Sequence, residues 1–256
     1  MNKLSAASAD QGVWKNAEPG LTGEGDIDFV APRSEWEGIR ILVQSWAAQV
    51  GLGPVIVCRH MPNAEFFLTV DRSVPDFLQL DVRDRATFRG STVFEPSDIA
   101  PLMEMDPRGF RRLRAGAEGL VKLVISGTAP TGRPKPRTLK KENVIELLES
   151  DPAGMHAAAA SVFARVEDSV LAGANAAMRG GWNRRAMAIV EARYLLKGMT
   201  EPGTVVGRLR ARRVKKDCEI MRTSLGARRR IQGDVDDWLQ RVARGHRVSY
   251  DAGDHD

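Results

Sequence analysis

The stretch Gly23-Glu24-Gly25-Asp26-Ile27-Asp28-Phe29-Val30 sets two carboxylates one residue apart in a short apolar run that follows a glycine-rich turn. Successive side chains of a strand point to opposite faces, so Asp26 and Asp28 share one face while Ile27 and Phe29 enter the core from the other. The run must therefore lie in a sheet with one apolar face and one face on which negative charge converges. Two carboxylates held close repel unless a cation neutralises them. An all-oxygen site of this kind suits Mg²⁺ or Mn²⁺, with waters and substrate phosphates as the remaining ligands. Taken alone, Asp-x-Asp beside Gly-Glu-Gly also fits a solvated turn entering a half-buried strand. The order of the elements that follow weighs for the first reading.

Pro32 closes the strand, and Ser34-x-x-Glu37 has the spacing of a capping box. Ile39, Leu42, Val43, Trp46, Ala47 and Val50 then form one helical stripe ending at Gly51. Three strand-like runs follow at 55–59, 65–71 and 76–83, parted by Met61-Pro62-Asn63 and Ser73-Val74-Pro75. In the third, Leu78, Leu80 and Val82 point inward, so Gln79, Asp81 and Arg83 line the other face. Asp81 is thus a third carboxylate on a strand that can pair beside the first. Leu120, Val121 and Val124 give 117–125 an amphipathic helical pattern that also carries Lys122.

The Pro- and Gly-rich segment 127–137 reads as a linker or exposed loop, and the sequence beyond it reads as helix. Val144, Ile145, Leu147 and Leu148 mark one helix; Ala159, Val162, Phe163, Val166, Val170 and Ala174 mark a second; Met187, Val190 and Tyr194 mark a third. Val214, Cys218, Met221 and Leu225 fit a fourth at i, i+4, i+7 and i+11, and Val235, Trp238, Leu239 and Val242 a fifth. The acidic end after Ser249 reads as disordered. The expected organisation is α+β: a small mixed-sheet domain over 1–127, a linker at 128–138, a helical domain over 139–248 and a tail at 249–256.

A chain of 256 residues with 43% apolar content buries a substantial core. No run approaches the length of a membrane helix and the first dozen residues lack the apolar centre of a signal peptide, so a cytoplasmic protein without a membrane partner is expected. Cys58 and Cys218 lack Cys-x-x-Cys spacing and suggest neither a disulfide framework nor a thiolate zinc site. The net charge is +5, but 207–230 alone holds Arg208, Arg210, Arg212, Arg213, Lys215, Lys216, Arg222, Arg228, Arg229 and Arg230 against Asp217 and Glu219. Such a segment attracts RNA or another polyanion, or forms a solvated helix face.

The order of an Asp-x-Asp strand, an amphipathic helix, two strands and a strand with a third Asp resembles the nucleotidyltransferase superfamily with the polymerase β-type fold. Val13-Trp14-Lys15-Asn16 followed by Leu21-x-Gly23-x-Gly25-Asp26-Ile27-Asp28 is similar to a group of bacterial nucleotidyltransferase-like proteins with a Trp-Lys-Asn stretch before such a strand. The resemblance spans 12–125. It implies that Asp26 and Asp28 hold metal, that Asp81 helps to bind it and activates an acceptor hydroxyl, and that Lys122 contacts the triphosphate; Lys15 as a point cation, Asn16 as a hydrogen-bonding side chain and Gly25 complete the expected nucleotide-binding set. It further implies an NTP substrate, Mg²⁺ or Mn²⁺, and pyrophosphate as product. The superfamily's Gly-Ser turn before the Asp-x-Asp strand is replaced here by Lys15-Asn16, so the grip on the triphosphate differs. The alternative expectation is a degenerate relative that binds nucleic acid or protein through 207–230.

Overall fold

The computed structural model describes residues 1–22, 25–52, 54–71, 76–135, 141–200, 216–221 and 246–250. The chain opens with α1 (Asn2–Ala7), β1 (Gly12–Lys15) and α2 (Ala17–Leu21), followed by β2 (Ile27–Val30) and the longer α3 (Trp36–Gln49). Strands β3 (Val55–Met61), β4 (Ala64–Asp71) and β5 (Asp76–Arg83) come next, then β6 (Ala86–Phe88), β7 (Ser91–Phe94), α4 (Pro96–Ile99), β8 (Met103–Met105) and β9 (Arg111–Leu113). Helices α5 (Ala115–Val121), α6 (Lys141–Ser150), α7 (Pro152–Ser161), α8 (Glu167–Met178) and α9 (Arg184–Thr200) follow, and then strands β10 (Lys216–Met221) and β11 (His246–Tyr250). The protein is α+β, a mixed sheet region followed by a helical part built from α6 to α9.

The chain divides into two compact units, one of Asn16–Arg83 with Gly207–Asp256, the other of Met1–Lys15 with Asp84–Val206. In the first, the strands run in the order β11-β10-β3-β4-β5-β2. β2 is parallel to β5, the β5-β4-β3-β10 pairs are antiparallel, and β11 is parallel to β10. Val55, Ile56 and Val57 are all buried, so β3 is a continuous apolar run of the kind a central strand needs. Helix α3 packs on one face of this sheet, where Arg40 Nε and Nη2 donate to Glu65 of β4 at 2.9 and 2.6 Å. Glu65 is the register partner of Val82, and the next residue, Phe66, is the partner of Asp81. Alternation therefore puts α3 on the face opposite Asp81.

Two local expectations change. Ser34 lies in a 3₁₀ turn (Arg33–Glu35), and α3 begins at Trp36 with no side-chain cap, so the capping box does not form. Helix α3 buries Trp36, Ile39, Val43 and Ala47, whereas Trp46 and Val50 are exposed. The seam is the narrower i, i+3, i+7, i+11 line, which suits a helix laid on a sheet on one side only.

The larger correction concerns 214–225. Lys216–Met221 is a strand rather than part of a helix, antiparallel to β3 with Cys218 opposite Cys58. Cys218 and Ile220 alternate with Asp217 and Glu219, a period of two that the longer helical spacing obscured. The backbone of β3, otherwise an open edge on that side, pairs with it. The remainder of 207–230, the helix read over 233–242 and residues 251–256 lie outside the described residues, while Ser249 and Tyr250 belong to β11.

In the second unit, β1 is parallel to β9, and β8 is antiparallel to β9. The β6–β7 hairpin turns through Arg89 (φ 50°) and Gly90 (φ 96°), both left-handed, as a two-residue turn between twisted strands requires. Helices α5 to α9 form the rest of the core around Leu120, Leu148, Met155, Phe163 and Met187, all buried. Asp151 ties α5 to α7: it caps α7 through Gly154 N at 2.9 Å and accepts from Arg114 at 2.6 and 3.1 Å. The helix read over 117–125 is present as α5 continued by a π-turn at Lys122–Ser126.

Candidate metal centre

Asp28 sits within β2 and is fully buried, and Asp81 sits within the neighbouring β5 at 3% exposure. The two strands are parallel and the two residues are direct register partners, so their side chains project side by side from one face. Asp26, two residues before Asp28, reaches the same face and is half-buried. One carboxylate oxygen from each of Asp26, Asp28 and Asp81 can be chosen so that all lie within 4.8 Å of one another. The alternation read from the sequence thus brings all three together.

Two side-chain amides hold the carboxylates in place. Asn16 Nδ2 donates to Asp28 Oδ2 at 3.0 Å, and Gln79 Nε2 donates to Asp81 Oδ1 at 2.7 Å. Asn16 adopts the left-handed conformation (φ 57°, ψ 32°) at the start of α2, a geometry that asparagine tolerates better than most residues. Its backbone oxygen accepts from Gly20 N at 3.0 Å, which fixes the turn that aims the amide. The guanidinium of Arg83 lies beside the cluster, its Nη2 3.7 Å from Asp81 Oδ2.

Burial and charge act together on Asp81, which is pushed up to about 7. Removal from water is the largest cause; the Gln79 hydrogen bond opposes it, the charges of Asp28 and Asp26 reinforce it, and Arg83 opposes it weakly. Glu65, on the opposite face of the same sheet, shows the contrast. Burial also raises its carboxyl, but hydrogen bonds from Arg40 and Arg59 outweigh this and hold it below the usual carboxylate range. Three converging carboxylates concentrate negative charge that a divalent cation can neutralise, and their oxygens are hard donors that suit Mg²⁺ or Mn²⁺.

The other expected residues are placed as follows. Asn16 reaches the cluster through Asp28. Gly25 is exposed in the same unit, and a Cβ built on it meets nothing within 4 Å. Lys15 ends β1 in the other unit, with its ammonium 4.9 Å above the Trp14 ring. Lys122 also belongs to that unit, where it pairs with Glu118 at 2.8 Å and donates to Asn143 at 2.9 Å across α5 and α6. Gln79 and Arg83 were given no role by the sequence, although period-two alternation had placed both on the Asp81 face.

No protein-family model matches the chain, and neither a curated protein nor a solved structure matches it. The acidic cluster is therefore read from its own geometry. Among the described residues, no helix is long and apolar enough to cross a membrane.

Proposed function

We propose that Asp26, Asp28 and Asp81 bind divalent metal for nucleotidyl transfer, moving a nucleoside monophosphate from an NTP to an acceptor hydroxyl with release of pyrophosphate. The observation that carries this reading is the convergence within 4.8 Å of three carboxylates, two of them buried on adjacent parallel strands and the third just before the first of those strands. Bound Mg²⁺ or Mn²⁺ supplies charge that stabilises the transferring phosphoryl group and its leaving oxygens and lowers the pKa of the acceptor hydroxyl. Asp26 and Asp28 act as ligands. Asp81, beside Asp28 on the neighbouring strand, is the group placed to take the acceptor's proton as the hydroxyl attacks. Asn16 and Gln79 keep Asp28 and Asp81 aimed at the shared point, so little reorganisation is needed when charge develops.

The test is pyrophosphate release from each of the four NTPs with Mg²⁺ or Mn²⁺, using the wild type and Asp28→Asn. The near-isosteric change preserves shape and removes a ligand charge. Wild-type turnover that falls at least about a hundredfold in Asp28→Asn supports the assignment. Metal-dependent turnover that survives Asp28→Asn intact would place the chemistry elsewhere.

A further inference from the structure

Arg83 faces the carboxylate cluster from β5, and its contact there is a loose one. It follows Asp81 by two residues on β5 and so projects from the same face. Its guanidinium lies 5.8 Å from the centre of the Phe66 ring, and Phe66 is the register partner of Asp81 on β4, so the aromatic face fixes the arginine beside the cluster. Yet its approach to Asp81 Oδ2 is 3.7 Å, well beyond the roughly 2.7–2.9 Å of a charge-assisted hydrogen bond. Its Nε is buried and donates to no acceptor among the described residues. On the opposite face, Arg40 and Arg59 donate to Glu65 at 2.6 to 2.9 Å, so the sheet readily seats an arginine on a carboxylate where one is wanted.

A buried N–H without an acceptor carries a desolvation cost that a ligand can relieve. The group that relieves it must be a hydrogen-bond acceptor, because arginine only donates, and the cationic planar fork matches the oxygens of a phosphate best. Phosphate oxygens are also the usual partners of Mg²⁺ held by few carboxylates. We propose that Arg83 is the anion-binding residue of the metal centre, taking an oxygen of a condensed phosphate while the carboxylates hold the cation. This rests on the metal reading above and adds to it the residue that recognises the phosphate. The 21% exposure of the Arg83 side chain leaves it reachable from solvent, as a binding residue must be.

Isothermal titration separates the two claims. Wild type, Arg83→Met and Arg83→Lys are titrated first with MgCl₂ alone and then with inorganic tripolyphosphate in excess Mg²⁺, with circular dichroism as the check on folding. Arg83→Met is expected to bind Mg²⁺ as well as wild type or better, having lost a neighbouring positive charge, and to bind tripolyphosphate about tenfold to a hundredfold more weakly. Arg83→Lys, which keeps the charge but not the fork, should fall between the two, and it carries the test alone if Arg83→Met does not fold. Tripolyphosphate affinity unchanged in the folded variants overturns the proposal, as does a wild type that binds Mg²⁺ but not tripolyphosphate. A wild type that binds no Mg²⁺ removes the metal reading and this proposal together.

Discussion

Three buried carboxylates show how a single side chain's surroundings decide its role. Glu65 is met by Arg40 and Arg59, and Asp106 by Arg108, which donates through Nε and Nη2 at 2.7 and 2.9 Å and through its backbone N–H at 2.9 Å. Asp81 is met by two further aspartates. Hydrogen bonding from the Arg108 side chain is the main reason that Asp106 is held down at about 2, with burial opposing and the charges of Arg108 and Arg112 assisting. The folded chain therefore releases this proton at lower pH than the unfolded chain, whose aspartate titrates near 3.8. Asp106 contributes stability above about pH 4, and the contribution is lost as pH falls towards 2. Because Arg108 is 45% exposed, solvent screening reduces the effect, and Asp106→Asn should cost roughly 1 kcal/mol at pH 7 and close to nothing at pH 2. Urea unfolding at the two pH values measures the difference.

At the scale of elements, the packing of α5 against α7 gives a sharper prediction. A Cβ on Gly116 would collide with the backbone oxygen of Asp151 and with Met155 N, neither of which is a flexible side-chain tip. Gly116→Ala should therefore destabilise the protein by about 1–3 kcal/mol, read as a lower urea midpoint, while Gly25→Ala, with open space around its Cβ, should stay within about 0.5 kcal/mol. The strands carrying the cluster were legible in the sequence because alternation is a strict rule: Asp26 and Asp28 had to share a face, and Asp81 had to share one with Gln79 and Arg83. The strand at 216–221 was not, because Val214, Cys218, Met221 and Leu225 satisfy a helical period while the deciding fact, pairing of Cys218 with Cys58, is 160 positions distant in sequence and local periodicity cannot report it. For the same reason the seam of α3 shifted towards Trp36 and Ala47: the stripe in the sequence is wider than the surface that the sheet offers.

Across the whole molecule, the cluster is built from pieces far apart in the chain. Asn16 enters from the turn at the start of α2, Asp26 from the position just before β2, Asp28 from β2, and Gln79, Asp81 and Arg83 from β5, and the parallel pairing of β2 with β5 brings them to one place. Parallel neighbours cannot be joined by a tight turn, and α3, β3 and β4 fill the interval between them in sequence. The amide partners of Asp28 and Asp81 lie on separate segments, so the site depends on the sheet being complete. This explains why an Asp-x-Asp pattern alone said little: the third carboxylate becomes part of the site only through the register.

The central claim is that this register makes a divalent-cation site, and direct Mn²⁺ binding tests it most simply. Electron paramagnetic resonance of free Mn²⁺, titrated against the wild type and Asp28→Asn at pH 8, counts the ions taken up by each. The account predicts saturable uptake by the wild type that is competed by Mg²⁺, and a loss of affinity of at least about tenfold in a folded Asp28→Asn. Mn²⁺ left free by the wild type, or bound equally by the two proteins, would contradict it.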